Sequence, residues 1–531
     1  KQGGSATDAA IATIAVLGLV EPQSAGVGGG GMLMTYQKST KRITAFDGRE
    51  AAPAAATADY FFGPDGKPLP FPLAVASGRS TGAPSLYAML KLAHQRGGKL
   101  PWAKLFDPAI KLAEDGFEVS PRLHNWLVQM GDSSALKLDP GAKAYLFLPD
   151  GSPLPVGFLR KNPEYAATLR ALAAKGPAAL QDGPIADAII AATHQEPRPG
   201  VLTKADLKNV KPRVLSAVCG TYRVYRVCGA PPPTSGGVAV LDILGLYERA
   251  RPHPVGPQSD DDWSAFIWAS RIAYADRDYY LADDSKVPVP VKGLIAPAYI
   301  TERAKLIDIA KPPPAFIAPG DPSAVVGGKS LLGQWGMPSP PKDAGTTHMS
   351  IIDKKGNVAA MTATIEAPFG AQRMAAGFFI NNQLTDFSIN PLLNGKPVAN
   401  AVAAGKKPRS SMAPTLVFDA DGNFYAAIGS PGGSAIIPYV AKTLIGVLDW
   451  RLTMQDAINL PNVVASGPQV RVERERFPSG VAAVLTARGF KLAPVAGEAS
   501  GLHGILMTPT GPQGGADPRR EGVALADSEA K

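Results

Sequence analysis

The sequence predicts an α+β fold, with helices and strands segregated along the chain. Two observations carry this: apolar residues recur at three- and four-residue spacing through much of 80–200, and strand-like alternation dominates after residue 345. Hydrophobic residues make up 45% of the 531 positions and charged residues 19%, enough apolar surface to offset the entropy of ordering, which excludes a disordered chain. At this length two or more structural units are the default expectation.

Residues 6–20 read as a helix and Glu21 to Gly31 as a glycine-rich bend. Met32 to Asp47 alternates like a hairpin with Lys38-Ser-Thr-Lys41 at its tip. Helical spacing marks Ser85–Arg96, Trp102–Asp115, Tyr165–Lys175 and Ile185–Thr193. Strands return near 213–229, where Cys219 and Cys228 lie symmetrically about Arg223-Val224. A hairpin there sets the sulfurs face to face at a spacing a disulfide could close; two buried thiols are the other reading. Pro231-Pro-Pro-Thr-Ser-Gly-Gly237 leads into a helix ending near Arg249. Residues 311–345, rich in Pro, Gly, Ser and Lys and without sustained periodicity, read as a flexible linker. Beyond it, helices are expected near 436–449 and 453–458 among strands, and there is no internal repeat.

The net charge is +9, but Lys and Arg are dispersed without a basic stripe, which argues against nucleic acid as a partner. The mild cluster Lys406-Lys-Pro-Arg409 suits a small anionic substrate. The longest apolar run, Ala9 to Val20, falls short of the roughly 20 residues a membrane-spanning helix needs. The chain opens at Lys1 directly into a Gly-Gly-Ser-Ala turn, so an upstream segment (a signal, a first strand or both) is expected. Two cysteines cannot form a four-ligand zinc site, and the six scattered histidines contain no i, i+4 pair, so no metal site is suggested.

Several motifs fail in context. Gly26-Val-Gly-Gly-Gly-Gly31 matches a dinucleotide fingerprint, but a strand follows it where a helix is required. Gly327-Gly-Lys-Ser330 resembles the end of a phosphate loop, yet Ser323 stands in the place of the first glycine. Ser134-Ala-Leu-Lys137 and Ser339-Pro-Pro-Lys342 have a serine–lysine acylase spacing without the accompanying Lys-Thr-Gly, and no Gly-x-Ser-x-Gly elbow occurs.

The informative segment follows the linker. His348–Asp353 and Val358–Thr364 are strand-like and joined by Asp353-Lys-Lys-Gly-Asn357, with Gly356 suited to the left-handed position of the loop. Centring this hairpin on Lys355 sets Thr346 opposite Thr364, within one residue if a bulge intervenes. Two hydroxyls then meet at the open end of a hairpin; cross-strand threonines of good β propensity are the plain alternative. Gly429-Ser-Pro-Gly-Gly-Ser434 follows a strand and is either an ordinary turn or a concavity of amides for an anion. Lys407-Pro-Arg-Ser-Ser-Met-Ala-Pro414 places paired hydroxyls beside basic residues, where a carboxylate could bind.

Together these segments resemble the gamma-glutamyltransferase (gamma-glutamyltranspeptidase) family of N-terminal-nucleophile hydrolases. The matching motifs are Gly345-Thr-Thr-His348, Asn381–Phe387, Pro408–Pro414, Gly429–Ser434 and Gly515–Arg519, with Gly3–Ala10, Gly26–Gly31, Asp47-Gly-Arg-Glu50 and Pro232–Gly237 upstream. The resemblance spans essentially the whole chain. It implies a four-layer αββα sandwich in which a precursor is cut before Thr346, giving a large subunit, 1–345, and a small one, 346–531, that share one structural domain. Thr346 would be the nucleophile with its freed α-amine as base, Thr364 its orienting partner, and Gly432 and Gly433 the oxyanion-hole glycines. Arg49, Ser410 and Ser411 match the positions that bind the α-carboxylate of a γ-glutamyl group, and Gln383 and Asp386 those that hold its ammonium. Two departures stand out. Glu366 occupies a position where the family usually has Asn, and is either a second carboxylate for the ammonium or a surface acid. The loop Ser388–Arg409 carries no aromatic residue for a lid, and a more open site favours water or bulkier acyl donors.

The expected activity is thus a self-processing γ-glutamyl hydrolase/transferase acting on γ-glutamyl amides such as glutathione, with water, amino acids or peptides as acceptors and a periplasmic or secreted location. Related acylases for cephalosporin side chains share these motifs, so an acylase for cephalosporin, glutaryl or poly-γ-glutamyl substrates is the alternative. An uncut, non-catalytic binding protein is a reading of another class.

Overall fold

A computed structural model describes residues 3–131, 134–337 and 345–526. Ser339-Pro-Pro-Lys342, in the last part of the proline-rich stretch, lies outside the described residues. The helices that build the framework are α1 (Ala6–Val20), α2 (Leu86–Gly97), α3 (Asp107–Asp115), α4 (Pro163–Lys175), α5 (Gly236–Ala250), α6 (Asp260–Tyr280) and α7 (Ile436–Leu448). The strands are β1 (Gly30–Gln37), β2 (Arg42–Gly48), β3 (Arg213–Leu215), β4 (Val218–Tyr222), β5 (Tyr225–Gly229), β6 (Thr347–Ile352), β7 (Val358–Thr364), β8 (Thr415–Phe418), β9 (Phe424–Gly429), β10 (His503–Thr508) and β11 (Gly511–Ala516).

Two antiparallel sheets form from these strands, in the orders β3-β2-β1-β7-β6 and β11-β10-β9-β8-β5-β4. One apolar core joins the first sheet to α1–α4, and another joins the second sheet to α5, α6 and α7. A third lies between the sheets, where Met32, Met34 and Tyr36 meet Cys228, Leu416 and Phe418. The layers are therefore αββα, as the family resemblance implies.

The β6–β7 hairpin has the expected register without a bulge: His348 pairs with Thr362 and Ile352 with Val358. Asp353 closes the loop, its Oδ1 accepting from the amides of Lys355 and Asn357 at 2.8 and 3.0 Å, and Gly356 takes φ +78°. Asp353 Oδ2 also accepts from the amide of Ala6, tying the hairpin to the start of α1. That helix start is fixed by a capping box, Ser5 and Asp8 each accepting the other's backbone amide. The bend after α1 runs so close to β7 that a Cβ on Gly29 would sit 2.2 Å from the carbonyl oxygen of Thr364. Only glycine fits there.

Helix α6 is absent from the sequence reading. Every residue from Asp262 to Tyr280 is buried, so the helix has no polar face to generate a periodic signal. Its charged residues are paired inside: Asp276 takes Arg303, Tyr299 and the amide of Gly320. Residues 311–337 hold no regular element beyond one turn at Ser323–Val326, as their composition suggests. They are nevertheless fastened along α6: Trp268 Nε1 donates to Lys311 O, Arg271 to Pro314 O and Ala315 O, and the Tyr279 hydroxyl to Leu331 O.

Cys219 and Cys228 are directly paired across β4 and β5 and form a disulfide, which decides between the two readings of that hairpin. The native protein is expected to show no free thiol on unfolding without reductant and two after reduction, as counted with a thiol reagent. Replacing both cysteines by serine should cost about 2–3 kcal/mol by the loop-closure relation for a short loop, measured by denaturant unfolding.

Candidate active site

The end of β6 places Thr346 beside the end of β7, on the face that looks toward the second sheet. Thr346 and Thr364 are both buried, and their hydroxyl oxygens lie 3.3 Å apart. The carbonyl of Gly345 accepts from both: Thr364 Oγ1 donates to it at 2.8 Å, and Thr346 Oγ1 is in short contact with it. Thr364 Oγ1 in turn accepts from the Glu366 amide at 2.8 Å. The Thr346 carbonyl is held from the C-terminal end of the chain, where Arg520 Nη1 donates to it at 2.8 Å. The Thr346 hydroxyl, the carbonyl that precedes it and a second hydroxyl aimed at that carbonyl thus form one buried cluster.

This cluster opens on a small cavity that is partly open to solvent. Of the residues singled out in the sequence, Arg49, Thr346, Thr364, Glu366, Gln383, Asp386, Ser410, Ser411 and Gly433 line it; Gly432 does not, and packs against Tyr439 behind it. The 432–433 turn needs glycine: φ is +133° and +56°, and a Cβ on Gly432 would lie 2.6 Å from the Tyr439 ring. The following Ser434 lines the cavity, and its carbonyl accepts from the Tyr274 hydroxyl of α6.

One end of the cavity is built to donate hydrogen bonds. Ser410 Oγ accepts from the Met412 amide at 3.0 Å and Ser411 Oγ from Arg277 at 2.6 Å. A serine hydroxyl carries a single hydrogen. With each oxygen already receiving a donor, that hydrogen is left to be offered to an acceptor in the cavity. Arg49 is fully buried; its Nε and Nη2 are held by the carbonyls of Pro408 and Arg409, and Nη2 also pairs with Asp386. Gln383 Nε2 donates to the same Asp386 oxygen at 2.9 Å. Arginine and aspartate, assigned from the sequence to opposite charges of one ligand, are therefore adjacent and paired with each other.

Glu366 sits beyond Asp386, with Asn382 donating to its carboxylate. Burial, and after it the charge of Asp386, pushes its carboxyl up to about 8. Its backbone holds φ +81°, a region Asn tolerates better than Glu.

Arg277 and Arg409 also line the cavity; the sequence points to Arg409 only as one of the basic residues beside the paired hydroxyls, and to Arg277 not at all. Arg409 lies inside a quoted motif, but it is turned toward α6, donating to the carbonyls of Arg277 and Asp278 and pairing with Asp278 at 3.0 Å. Arg277 comes from the helix that periodicity did not reveal.

Residues 1–527 match the family model described as gamma-glutamyltranspeptidase. The chain is 36% identical to the glutathione hydrolase proenzyme of Escherichia coli (strain K12), over 98% of this chain and 87% of that one. It is 33% identical to the acylase ACY 1 proenzyme of Pseudomonas sp. (strain V22), over 99% and 90%. The crystal structure of cephalosporin acylase from Bacillus halodurans superposes with a TM-score of 0.83 at 26% identity, covering 98% of this chain and 91% of that one.

Next to Arg49, Glu50 is completely buried, and neither of its carboxylate oxygens has a hydrogen-bond partner among the described residues. The nearest guanidinium nitrogen of Arg49 is 3.9 Å away, too far for a hydrogen bond. Burial therefore outweighs the attraction and pushes the carboxyl up to about 8. An acid whose folded value lies above its unfolded one (about 4.3) binds more protons folded than unfolded between the two, so its contribution to stability falls as pH rises from about 4.5 to 8. Glu50→Gln removes that dependence. The variant should gain on the wild type by a few kcal/mol between pH 5 and pH 8 in denaturant titrations; parallel pH profiles would show that Glu50 is ionised in the fold.

Proposed function

The chain belongs to the gamma-glutamyltranspeptidase family, and from that premise we propose that it is a self-processing γ-glutamyl hydrolase/transferase with Thr346 as nucleophile. The observation that carries the reading is the cluster of Thr346 hydroxyl, Gly345 carbonyl and Thr364 hydroxyl at the wall of the cavity.

In the uncut chain Thr346 Oγ1 adds to the Gly345 carbonyl carbon while Thr364 polarises the carbonyl oxygen. The Gly345–Thr346 C–N bond breaks, the hydroxyl proton passes to that nitrogen, and an ester remains. Water cleaves the ester, leaving a carboxylate at Gly345, subunits 1–345 and 346–531, and a free α-amine on Thr346. An α-amine has a reference pKa of about 7.7–8.0, so an unprotonated fraction exists at neutral pH. It takes the Oγ1 proton as the oxygen attacks the γ-carbonyl of the donor and delivers it to the departing amine. Water or an amino acid then releases the γ-glutamyl group. Gly432 and Gly433 are the proposed oxyanion hole, where losing one donor typically costs 10²–10³ in rate.

Ser410, Ser411 and Arg49 are the proposed site for the α-carboxylate, and Asp386, Gln383 and Glu366 for the ammonium. A zwitterion would exchange the Arg49–Asp386 pairing for one contact to each of its charges. An exported location, periplasmic or secreted, fits the disulfide. Among the described residues, no helix is long and apolar enough to cross a membrane.

One observation favours a second reading. The loop 388–409 holds a two-residue ladder, Leu392–Leu393 with Lys396–Pro397, and a bridge between Ser388 and Ala401, but no aromatic side chain to cover the cavity. An acylase with a bulkier donor would use such an opening, and relatives named acylases support it.

Thr346→Ala should leave the protein as one uncut band on a denaturing gel and abolish turnover of γ-glutamyl-p-nitroanilide, whereas the wild type should run as two bands. Processing that survives the substitution would mean the nucleophile lies elsewhere. Glutaryl-p-nitroanilide, which lacks the ammonium, should be cleaved about tenfold to a hundredfold less efficiently by kcat/KM, the range of one charged hydrogen bond. A preference for glutaryl would favour the acylase reading and remove the roles given to Asp386 and Glu366.

A further inference from the structure

Arg277 reaches from the interior of α6 to the turn that carries Ser410 and Ser411. Its side chain is almost wholly buried, yet it lines the cavity. Each nitrogen has a defined partner: Nε donates to Ser235 Oγ at 2.9 Å, Nη1 pairs with Asp278, and Nη2 donates to Ser411 Oγ at 2.6 Å. Ser235 fastens the same turn from the other side, its amide and hydroxyl both donating to the Ser410 carbonyl at 2.8 and 2.7 Å.

A guanidinium can only donate, so Ser411 Oγ must be the acceptor in this contact. Its one hydrogen is then directed away from Arg277, and a hydroxyl that accepts from a cation is itself a stronger donor. Without Arg277 the hydroxyl would be free to rotate or to turn its lone pairs on an incoming anion.

We propose that Arg277 is a positioning residue that fixes the Ser411 hydroxyl as a donor, and thereby sets the preference of the site for acyl donors bearing an α-carboxylate. This rests on the γ-glutamyl reading of the cavity. Arg277 acts through Ser411, and Ser235 holds Arg277 in place.

The test compares γ-glutamyl-p-nitroanilide with 4-aminobutyryl-p-nitroanilide, the same acyl chain without its α-carboxylate. The quantity read is the ratio of their kcat/KM values. Arg277→Met should lower that ratio about tenfold to a hundredfold, with the loss in KM for the γ-glutamyl donor. Arg277→Lys, which keeps the charge but not the fork, should recover only part of it. Ser411→Ala should lower the ratio similarly, and the double variant should fall no further than Ser411→Ala alone. Equal losses for both donors, or additive losses in the double variant, would overturn the proposal. If Arg277→Met does not fold, Ser235→Ala carries the test: it frees Nε while keeping the guanidinium, and the ratio should drop several-fold. An unchanged ratio there would overturn the proposal just as firmly. Wild-type protein that cleaves neither donor would contradict the functional reading itself, and this role with it.

Discussion

The register of the β6–β7 hairpin is the constraint on which the rest depends. Along these strands Met349, Ile351, Ala359, Met361 and Ala363 join the core beneath the helices, while Val358 and Ala360 face the second sheet. Thr346 and Thr364 belong to this second face. A slip of one residue would exchange the faces, turning the hydroxyls toward α1 and the methyls toward the cavity. Three features hold the register: the Asp353 loop with its left-handed Gly356, the hydrogen bond of His348 Nδ1 with Thr362 at 2.8 Å, and the pairing of β1 along the other edge of β7. The close approach of Gly29 to the Thr364 carbonyl then fixes where β7 ends.

Around that corner Arg49, Arg277 and Arg409 converge where the turn 410–412 presents its hydroxyls, while Asp386, paired with Arg49, and Glu366 lie toward Asn382 and Gln383. Burial raises Glu366 and Glu50, so both carboxyls resist ionisation. A ligand ammonium beside Glu366 would favour its ionised form, so binding and proton release are coupled there.

Local pattern made part of this legible. The helices at 6–20, 85–96 and 165–175 and the hairpins at 32–47 and 219–228 announce themselves through spacing and turn residues, and the pairing of Thr346 with Thr364 follows from counting outward from Lys355. The gathering of Arg49, Asp386, Ser410 and Gly433 around Thr346 does not follow from spacing. These residues lie on different elements of two sheets, and only the motifs shared with a family pointed to them together. Helix α6 escaped because a helix buried on all sides has no polar stripe, and Arg277 escaped with it. The anchoring of 311–337 was hidden for a related reason: those residues contribute carbonyl oxygens, which composition does not display.

The central claim is that the Thr346 hydroxyl becomes covalently acylated, and mass spectrometry of protein quenched in acid during turnover of γ-glutamyl-p-nitroanilide addresses it most directly. The account predicts a γ-glutamyl adduct on a peptide that begins at Thr346, lost on standing with water or an amino-acid acceptor. An adduct on another residue, or full turnover by protein whose peptides still read through the Gly345–Thr346 bond, would contradict it.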